Sequence, residues 1–143
     1  SRVDMKRQAR LLALAAAMMA CGTAQACRCP AEPGPAAAYA RAAGVLTGEV
    51  LRVDAGTYPG EQQALVRVER AWKLPVDSEQ WVHTRTTCAY SFTAGTHLLL
   101  YVFRDSQQRL QTRVCMGNRP LDQAQPHLDW LERRGKPAPV GSR

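Results

Sequence analysis

The sequence lacks an apolar run long enough to span a membrane. Its longest run, residues 11–20, has ten residues, whereas a membrane-spanning helix needs about 20. It also lacks a Ser-His-Asp order, a phosphate-binding loop and paired carboxylates, so we expect no enzyme activity and no cofactor. Only two phenylalanines and no dense basic stripe are present, so we expect no nucleic-acid partner either.

Residues 1–26 have the order of a secretory signal peptide. A basic stretch at residues 5–10 precedes the apolar run of residues 11–20, and Ala24-Gln25-Ala26 then supplies an A-x-A cleavage pattern. Cleavage after Ala26 would make Cys27 the new N-terminus. We therefore expect a protein that is secreted, periplasmic or held in the cell envelope.

Two alternatives for this segment stay open. Met18-Met19-Ala20-Cys21 loosely resembles a lipobox. If it acts as one, Cys21 would be lipidated and would anchor the protein to a membrane. The segment could also be a buried alanine-rich helix of the folded protein. Residues 1–4 precede a plausible start at Met5 and are treated as extraneous to the signal peptide.

The charge of the chain is shared between the leader and the domain. Fifteen of the 19 basic residues and 11 of the 12 acidic residues follow residue 26, which lowers the net charge from +7 to +4. A mildly basic surface of this kind attracts acidic partners weakly.

Four of the five cysteines lie after the leader: Cys27, Cys29, Cys88 and Cys115. An even number of cysteines in an exported domain predicts disulfides. A bond between Cys27 and Cys29 would close a strained ring, so we expect each to bond one of the two distant cysteines, in either combination. Each bond would close a loop of roughly 60 residues or more, worth roughly 4 kcal/mol. The spacing lacks the paired Cys-x-x-Cys of zinc sites.

Alternating and β-branched segments predict a mainly β domain at residues 27–134. A helix is expected at residues 35–43, and Gly48 predicts a bulge or bend in the first strand. In the second strand, Val66, Val68 and Trp72 are expected to share one face. The five predicted strands are residues 45–53, 64–72, 81–86, 97–103 and 110–115.

The pattern changes to helical spacing after residue 118. Apolar residues recur three and four positions apart from Leu121 to Leu131, and Pro126 is expected to kink the helix or restart it. Residues 135–143 are predicted to be a flexible tail. The fold class is therefore a five-stranded OB-fold-like Greek-key barrel with a short N-terminal helix and a C-terminal helix. A flat sandwich is the alternative.

Several motifs match those of one known family. They are Cys27-Arg28-Cys29-Pro30, Tyr39-Ala40-Arg41-Ala42, residues 66–72, Cys88-Ala89-Tyr90, residues 95–101 and Cys115. With these motifs the chain resembles a netrin-like domain of the kind found in tissue inhibitors of metalloproteinases, over nearly the whole of residues 27–134. The resemblance implies an OB-fold barrel with Cys27–Cys88 and Cys29–Cys115 disulfides. The sequence departs from the inhibitors at Arg28, where they have a small residue, and at Tyr39, near which they carry the first cysteine of a third bond.

The resemblance also implies a mechanism. The α-amino group and carbonyl oxygen of Cys27 could chelate the zinc ion of a metalloendopeptidase and displace its catalytic water. Arg28 would enter the pocket beside the metal, and its long cation favours an acidic or open pocket. The expected contact residues are Cys27, Arg28, Cys29, Pro30, Thr86 and Thr87. The alternative is a non-inhibitory module that binds another protein or has a structural role. We expect a monomer in either case, with no metal of its own.

Overall fold

The computed structural model describes residues 2–18, 27–85 and 87–141. The side chains of residues 11–18 are not described. The helices and strands are α1 (Arg2–Met18), α2 (Pro35–Arg41), β1 (Gly44–Ala55), β2 (Gln62–Trp72), β3 (Val76–Asp77), β4 (Glu79–Thr84), β5 (His97–Arg104), β6 (Leu110–Gln111), β7 (Arg119–Pro120), a 3₁₀ turn (Leu121–Gln123), α3 (Gln125–Arg134), β8 (Pro137–Ala138) and β9 (Val140–Gly141).

Five of the strands form a closed barrel. β1 pairs with β2, β2 with β4, β4 with β6 and β6 with β5, and β5 then returns to β1. The pairing of β4 with β6 is parallel and the others are antiparallel. This circuit is the Greek-key barrel predicted from the sequence, and it excludes the flat sandwich.

Gly48 lies where β1 bends to pair with β2 and β5 at once. It faces Val68 on one side and Leu98 on the other, and the register with β2 shifts between Thr47 and Gly48. A Cβ atom at this position would collide with the carbonyl oxygen of Arg67, so only glycine fits. The predicted bend is confirmed.

The barrel buries apolar side chains on both of its faces. β5 shows the principle, because Leu98, Leu100 and Val102 point into the barrel while Leu99 and Tyr101 point outward under the helices. A strand buried on both faces has a continuous apolar sequence, as this one does. The outer cluster consists of Ala38, Ala42, Val45, Trp72, Leu99, Tyr101, Ala124 and Leu131.

Trp72 does not share a face with Val66 and Val68, contrary to the expectation from alternation. Gly48 pairs with Val68 and Thr47 with Arg70, so Glu69 is an extra residue in β2. The bulge reverses the alternation beyond it. Ala71 therefore points into the barrel, and Trp72 lies in the outer cluster.

Proline positions the two helices that cover the outer cluster. Pro35 opens α2, and the chain restarts as α3 at Gln125-Pro126 after the 3₁₀ turn. Proline suits the first turn of a helix because its missing N–H is not needed there. Tyr39 and Trp130 bring the helices together, with ring centroids 5.0 Å apart. The restart at Pro126 is confirmed.

The strand predicted at residues 110–115 ends at Gln111, because the chain turns away to bring Cys115 to the N-terminal segment. The strand predicted at residues 81–86 begins at Glu79 and ends at Thr84.

Residues 136–141 are held against the barrel, where the sequence predicted a flexible tail. β8 pairs with β2, and β9 pairs with β3. The backbone N–H of Lys73 donates to the carbonyl oxygen of Lys136 at 2.9 Å, and the N–H of Lys136 donates to the Tyr39 hydroxyl at 3.0 Å. Backbone pairing of this kind depends on a distant strand and leaves little trace in the local sequence.

The structure describes the predicted signal peptide only in part. Residues 2–18 form α1, and no helix among the described residues is long and apolar enough to cross a membrane. The expected cleavage pattern Ala24-Gln25-Ala26 and the alternative lipidation site Cys21 lie outside the described residues. Export stays a prediction.

Candidate functional site

The N-terminal segment of the domain is attached to one end of the barrel by two disulfides. Cys27 bonds Cys88 and Cys29 bonds Cys115, with Cα separations of 5.4 Å and 5.3 Å. The pairing implied by the netrin-like resemblance is therefore present. Arg28 is exposed between the two half-buried cysteines.

Exposed residues accompany these bonds on both sides. Pro30 follows Cys29 and is exposed, and Thr87 precedes Cys88 and is also exposed. We call Cys27, Arg28, Cys29, Pro30 and Thr87 the disulfide ridge. Five of the six predicted contact residues thus come together, and the sixth, Thr86, lies outside the described residues.

The two loops that receive the disulfides are tied to each other. The backbone N–H of Val114 donates to the carbonyl oxygen of Cys88 at 2.9 Å. Cys88 and Cys115 both have left-handed backbones, with φ of 57° and 67°. Such a backbone is uncommon in non-glycine residues and persists where surrounding bonds hold it. The ridge is therefore supported by cross-linked loops.

A polar network fixes the loop that carries Cys115. Asn118 accepts a bond from the N–H of Tyr101 at 2.8 Å and donates to Thr112 Oγ1 at 2.6 Å and to the Arg113 carbonyl at 3.2 Å. The Thr112 hydroxyl in turn donates to the carbonyl oxygen of Tyr101 at 2.7 Å. These bonds anchor the loop to β5. Thr112 and Asn118 were not predicted from the sequence, because single polar residues in a short segment carry no local signal.

The loop that carries Cys88 has its own anchor. The N–H of Tyr90 donates to Thr84 Oγ1 at 2.7 Å, at the end of β4. Burial, with a smaller contribution from Glu32, raises the pKa of Tyr90. The Tyr90 phenol is therefore neutral and packs edge-on against Phe92 with ring centroids 5.3 Å apart.

Arginines surround the ridge. Arg85 and Arg113 line one cleft with Thr87, and Arg41 and Arg113 line another with Cys115. The Arg113 guanidinium lies 5.2 Å from the centroid of the Phe103 ring. Among the described residues none of these arginines, and not Arg28, forms an ion pair. Two carboxylates, Glu61 and Asp105, also line the first of these clefts, so the four arginines outnumber the acidic groups beside the ridge clefts.

Neither a family model nor a curated protein matches this chain. The netrin-like resemblance thus rests on the motifs themselves. The fold and the disulfide pairing that it implied are present, whereas membership of that family stays a hypothesis.

The histidines do not converge on a metal site. His97 lies beside Glu69, with Nδ1 3.7 Å from a carboxylate oxygen, and both are half exposed. His127 is buried in the outer cluster, and His83 lies on β4. The described residues contain no group of three or more histidine, cysteine or acidic side chains that could hold a metal ion.

Proposed function

We propose that this protein is an exported module that uses the disulfide ridge to bind and inhibit a zinc metalloendopeptidase. The observation that carries the proposal is the exposure of Arg28 on a segment cross-linked twice, immediately after a predicted cleavage point. A rigid contact segment loses little conformational entropy on binding, which favours affinity.

The chemistry depends on a free Cys27 amine. An α-amino group has a pKa of about 8, so a zinc ion can readily displace its proton near pH 7. The amine nitrogen and the Cys27 carbonyl oxygen would then close a five-membered chelate ring on the zinc ion of the target. The zinc ion belongs to the target, and the chelate would replace the water that the ion activates for hydrolysis.

The arginines define the partner that this ridge would suit. Arg28 would extend from the chelating residue into the adjacent pocket, and Arg85 and Arg113 would flank the contact. A guanidinium binds carboxylates through two parallel hydrogen bonds, so the fitting target has acidic side chains in and around that pocket. Like charges there would oppose binding.

The test uses the protein exported by its native host. N-terminal sequencing and intact mass come first, and we expect Cys27 at the N-terminus with two disulfides. The protein is then assayed against a panel of zinc endopeptidases at micromolar concentration. No inhibition of any of them by a protein that begins at Cys27 would refute the proposal.

Two variants separate chelation from other contacts. One extra alanine before Cys27 removes the chelating amine from position and should abolish inhibition, whereas an alanine added after the C-terminal residue should have no effect. Arg28→Ala should weaken inhibition, and Arg67→Ala, on the exposed face of β2, should not.

A second candidate is a non-inhibitory protein-binding module. The cluster of arginines that form no ion pair within the described residues favours it, because an acidic partner could bind this surface without any chelation. The alanine extension before Cys27 distinguishes the two functions, since a non-inhibitory contact should survive it.

A further inference from the structure

A cleft of about 310 Å³ lies on the outer face of three adjacent barrel strands. Its floor follows from the register, because Gln63 on β2 pairs with His83 on β4, and His83 pairs with Gln111 on β6. Their neighbours Val82 and Leu110 point into the barrel core, so these three side chains point outward. Three polar side chains thus form a row across the strands, of which Gln63 and His83 are partly exposed and Gln111 is buried.

Charged residues two positions away in the sequence, each just beyond the end of one of these strands, form the sides of the cleft. They are Glu61, Arg85 and Arg109. Glu61 accepts a bond from the N–H of Tyr58 at 3.2 Å, and the Arg109 Nε donates to Asp105 at 2.9 Å. Two of the three charges are therefore already engaged within the protein.

Asp105 holds Arg109 and Gln111, which form the β6 wall of the cleft. It accepts bonds from the N–H of Gln107 and of Arg109, from Arg109 Nε and from Gln111 Nε2, at 2.8–2.9 Å. Burial raises the pKa of Asp105, but these four bonds outweigh burial and hold the pKa well below its usual range. The carboxylate is thus ionised and the wall is rigid.

Other polar groups in the cleft are free to bind a ligand. Within the part of the chain that the structure describes, the side chains of Gln63, His83 and Arg85 form no hydrogen bond. Burial, together with the charge of Arg109, lowers the pKa of His83, so its ring is neutral at pH 7 and offers one donor and one acceptor. The amide of Gln63 also offers both, and the guanidinium of Arg85 adds a fork of donors.

We infer that this cleft binds a neutral oligosaccharide. Sugar hydroxyls donate and accept at the same atom, and neighbouring hydroxyls match the two-pronged groups of an amide or a guanidinium. Gln63, His83 and the flanking Arg85 supply this mixed set of groups at one place, beside the buried Gln111. The cleft contains none of the ridge residues, although Arg85 borders both surfaces, and the inference does not depend on the proposed inhibition.

Other ligand classes fit less well. A nucleic acid needs a cluster of cations without counterions, whereas Glu61 and Asp105 lie beside the arginines here. A peptide cannot add a strand, because β2, β4 and β6 already pair on both sides within the closed barrel. An apolar ligand would leave the polar floor without hydrogen bonds.

The test is an NMR titration of the ¹⁵N-labelled exported protein with cellotetraose, fully N-acetylated chitotetraose and maltotetraose. At least one of the three should produce saturable shifts of the Gln63 side-chain amide, of the Arg85 Nε–H and of the His83 backbone amide. Gln63→Ala and His83→Ala should each weaken binding about tenfold, the equivalent of one lost hydrogen bond. The matched controls Gln123→Ala and His97→Ala, at exposed positions elsewhere, should leave the affinity unchanged.

Three results would overturn the inference. They are no saturable shift with any of the three sugars at millimolar concentration, unchanged affinity in both cleft variants, or tighter binding of a thymidine decamer in the same cleft. Thermal unfolding of each variant shows that it is folded. Arg28→Ala should leave the sugar titration unchanged, and Gln63→Ala should leave protease inhibition unchanged, so this inference and the proposed function fail separately.

Discussion

The Tyr101 hydroxyl oxygen lies 2.6 Å from Nδ1 of His127 in the outer apolar cluster. Burial, together with Arg119, lowers the pKa of His127 to about 4, and burial raises that of Tyr101 to about 12. Both groups are therefore neutral in the folded protein at pH 7. The bond satisfies two polar atoms where the helices meet the barrel.

This pair predicts a pH dependence of stability. The folded protein binds the His127 proton only near pH 4, whereas an unfolded histidine binds it near pH 6.5. Unfolding then takes up a proton, so the free energy of unfolding should fall as the pH drops from about 6.5 to about 4, by at most about 3 kcal/mol, and level off below that. Urea unfolding across this range, with the disulfides intact, measures the effect.

Two variants test whether His127 causes this pH dependence of stability. His127→Gln should reduce the pH dependence, whereas the exposed control His97→Gln should leave it unchanged. His83, whose pKa is also lowered, contributes in the same direction, so some dependence should survive in His127→Gln. A profile identical to that of the unaltered protein would contradict the role given to His127.

The disulfides predict a large stability difference. Replacing Cys29 and Cys115 together by serine opens a link across 86 residues and should lower the free energy of unfolding by about 4 kcal/mol. The double replacement avoids an unpaired thiol. Chemical denaturation measures the change, and a loss below about 1 kcal/mol would show that the folded loops hold the ridge without this bond.

Gly48 predicts a steric effect at the bend of β1. In Gly48→Ala the new methyl group meets the Arg67 carbonyl, and we expect a loss of about 1–3 kcal/mol. Gly34 is the matched control, because a Cβ there meets no atom within 4 Å. Equal melting temperatures for the two variants would mean that the barrel adjusts at the bend without cost.

The hydrogen bonds of Asp105 are expected to make the β6 wall of the cleft rigid. Asp105→Ala removes the acceptor of the buried Gln111 amide and of Arg109, so we expect a lower melting temperature and faster amide hydrogen exchange in residues 105–111. Asp122→Ala, at an exposed position, is the control. Unchanged hydrogen exchange in residues 105–111 would show that backbone hydrogen bonds alone hold this loop.

The disulfide ridge could be predicted from the sequence, whereas the cleft on β2, β4 and β6 could not. The disulfide ridge is local, since four of its residues are consecutive and stand beside a cleavage pattern, and so sequence indicated it. The cleft draws on residues 61–63, 83–85 and 109–111, which only the register of three strands brings together. A single polar residue near each strand end gives no sign of such a convergence.

The sequence alone determined the features that depend on neighbouring residues. Apolar and β-branched runs determined the four long strands, Gly48 the bend, Pro126 the restart of the last helix, and an even set of cysteines the presence of disulfides. These follow from backbone sterics and side-chain periodicity, which act over a few residues.

Tertiary structure decided what depends on distant partners. It set the face on which Trp72 lies, through the extra residue Glu69 opposite Gly48, and it docked residues 136–141 on β2 and β3. It also showed which cysteines bond, a choice that the residues left open and only the resemblance implied. The physical reason is that strand register is set jointly by two chain segments, so neither sequence segment contains it.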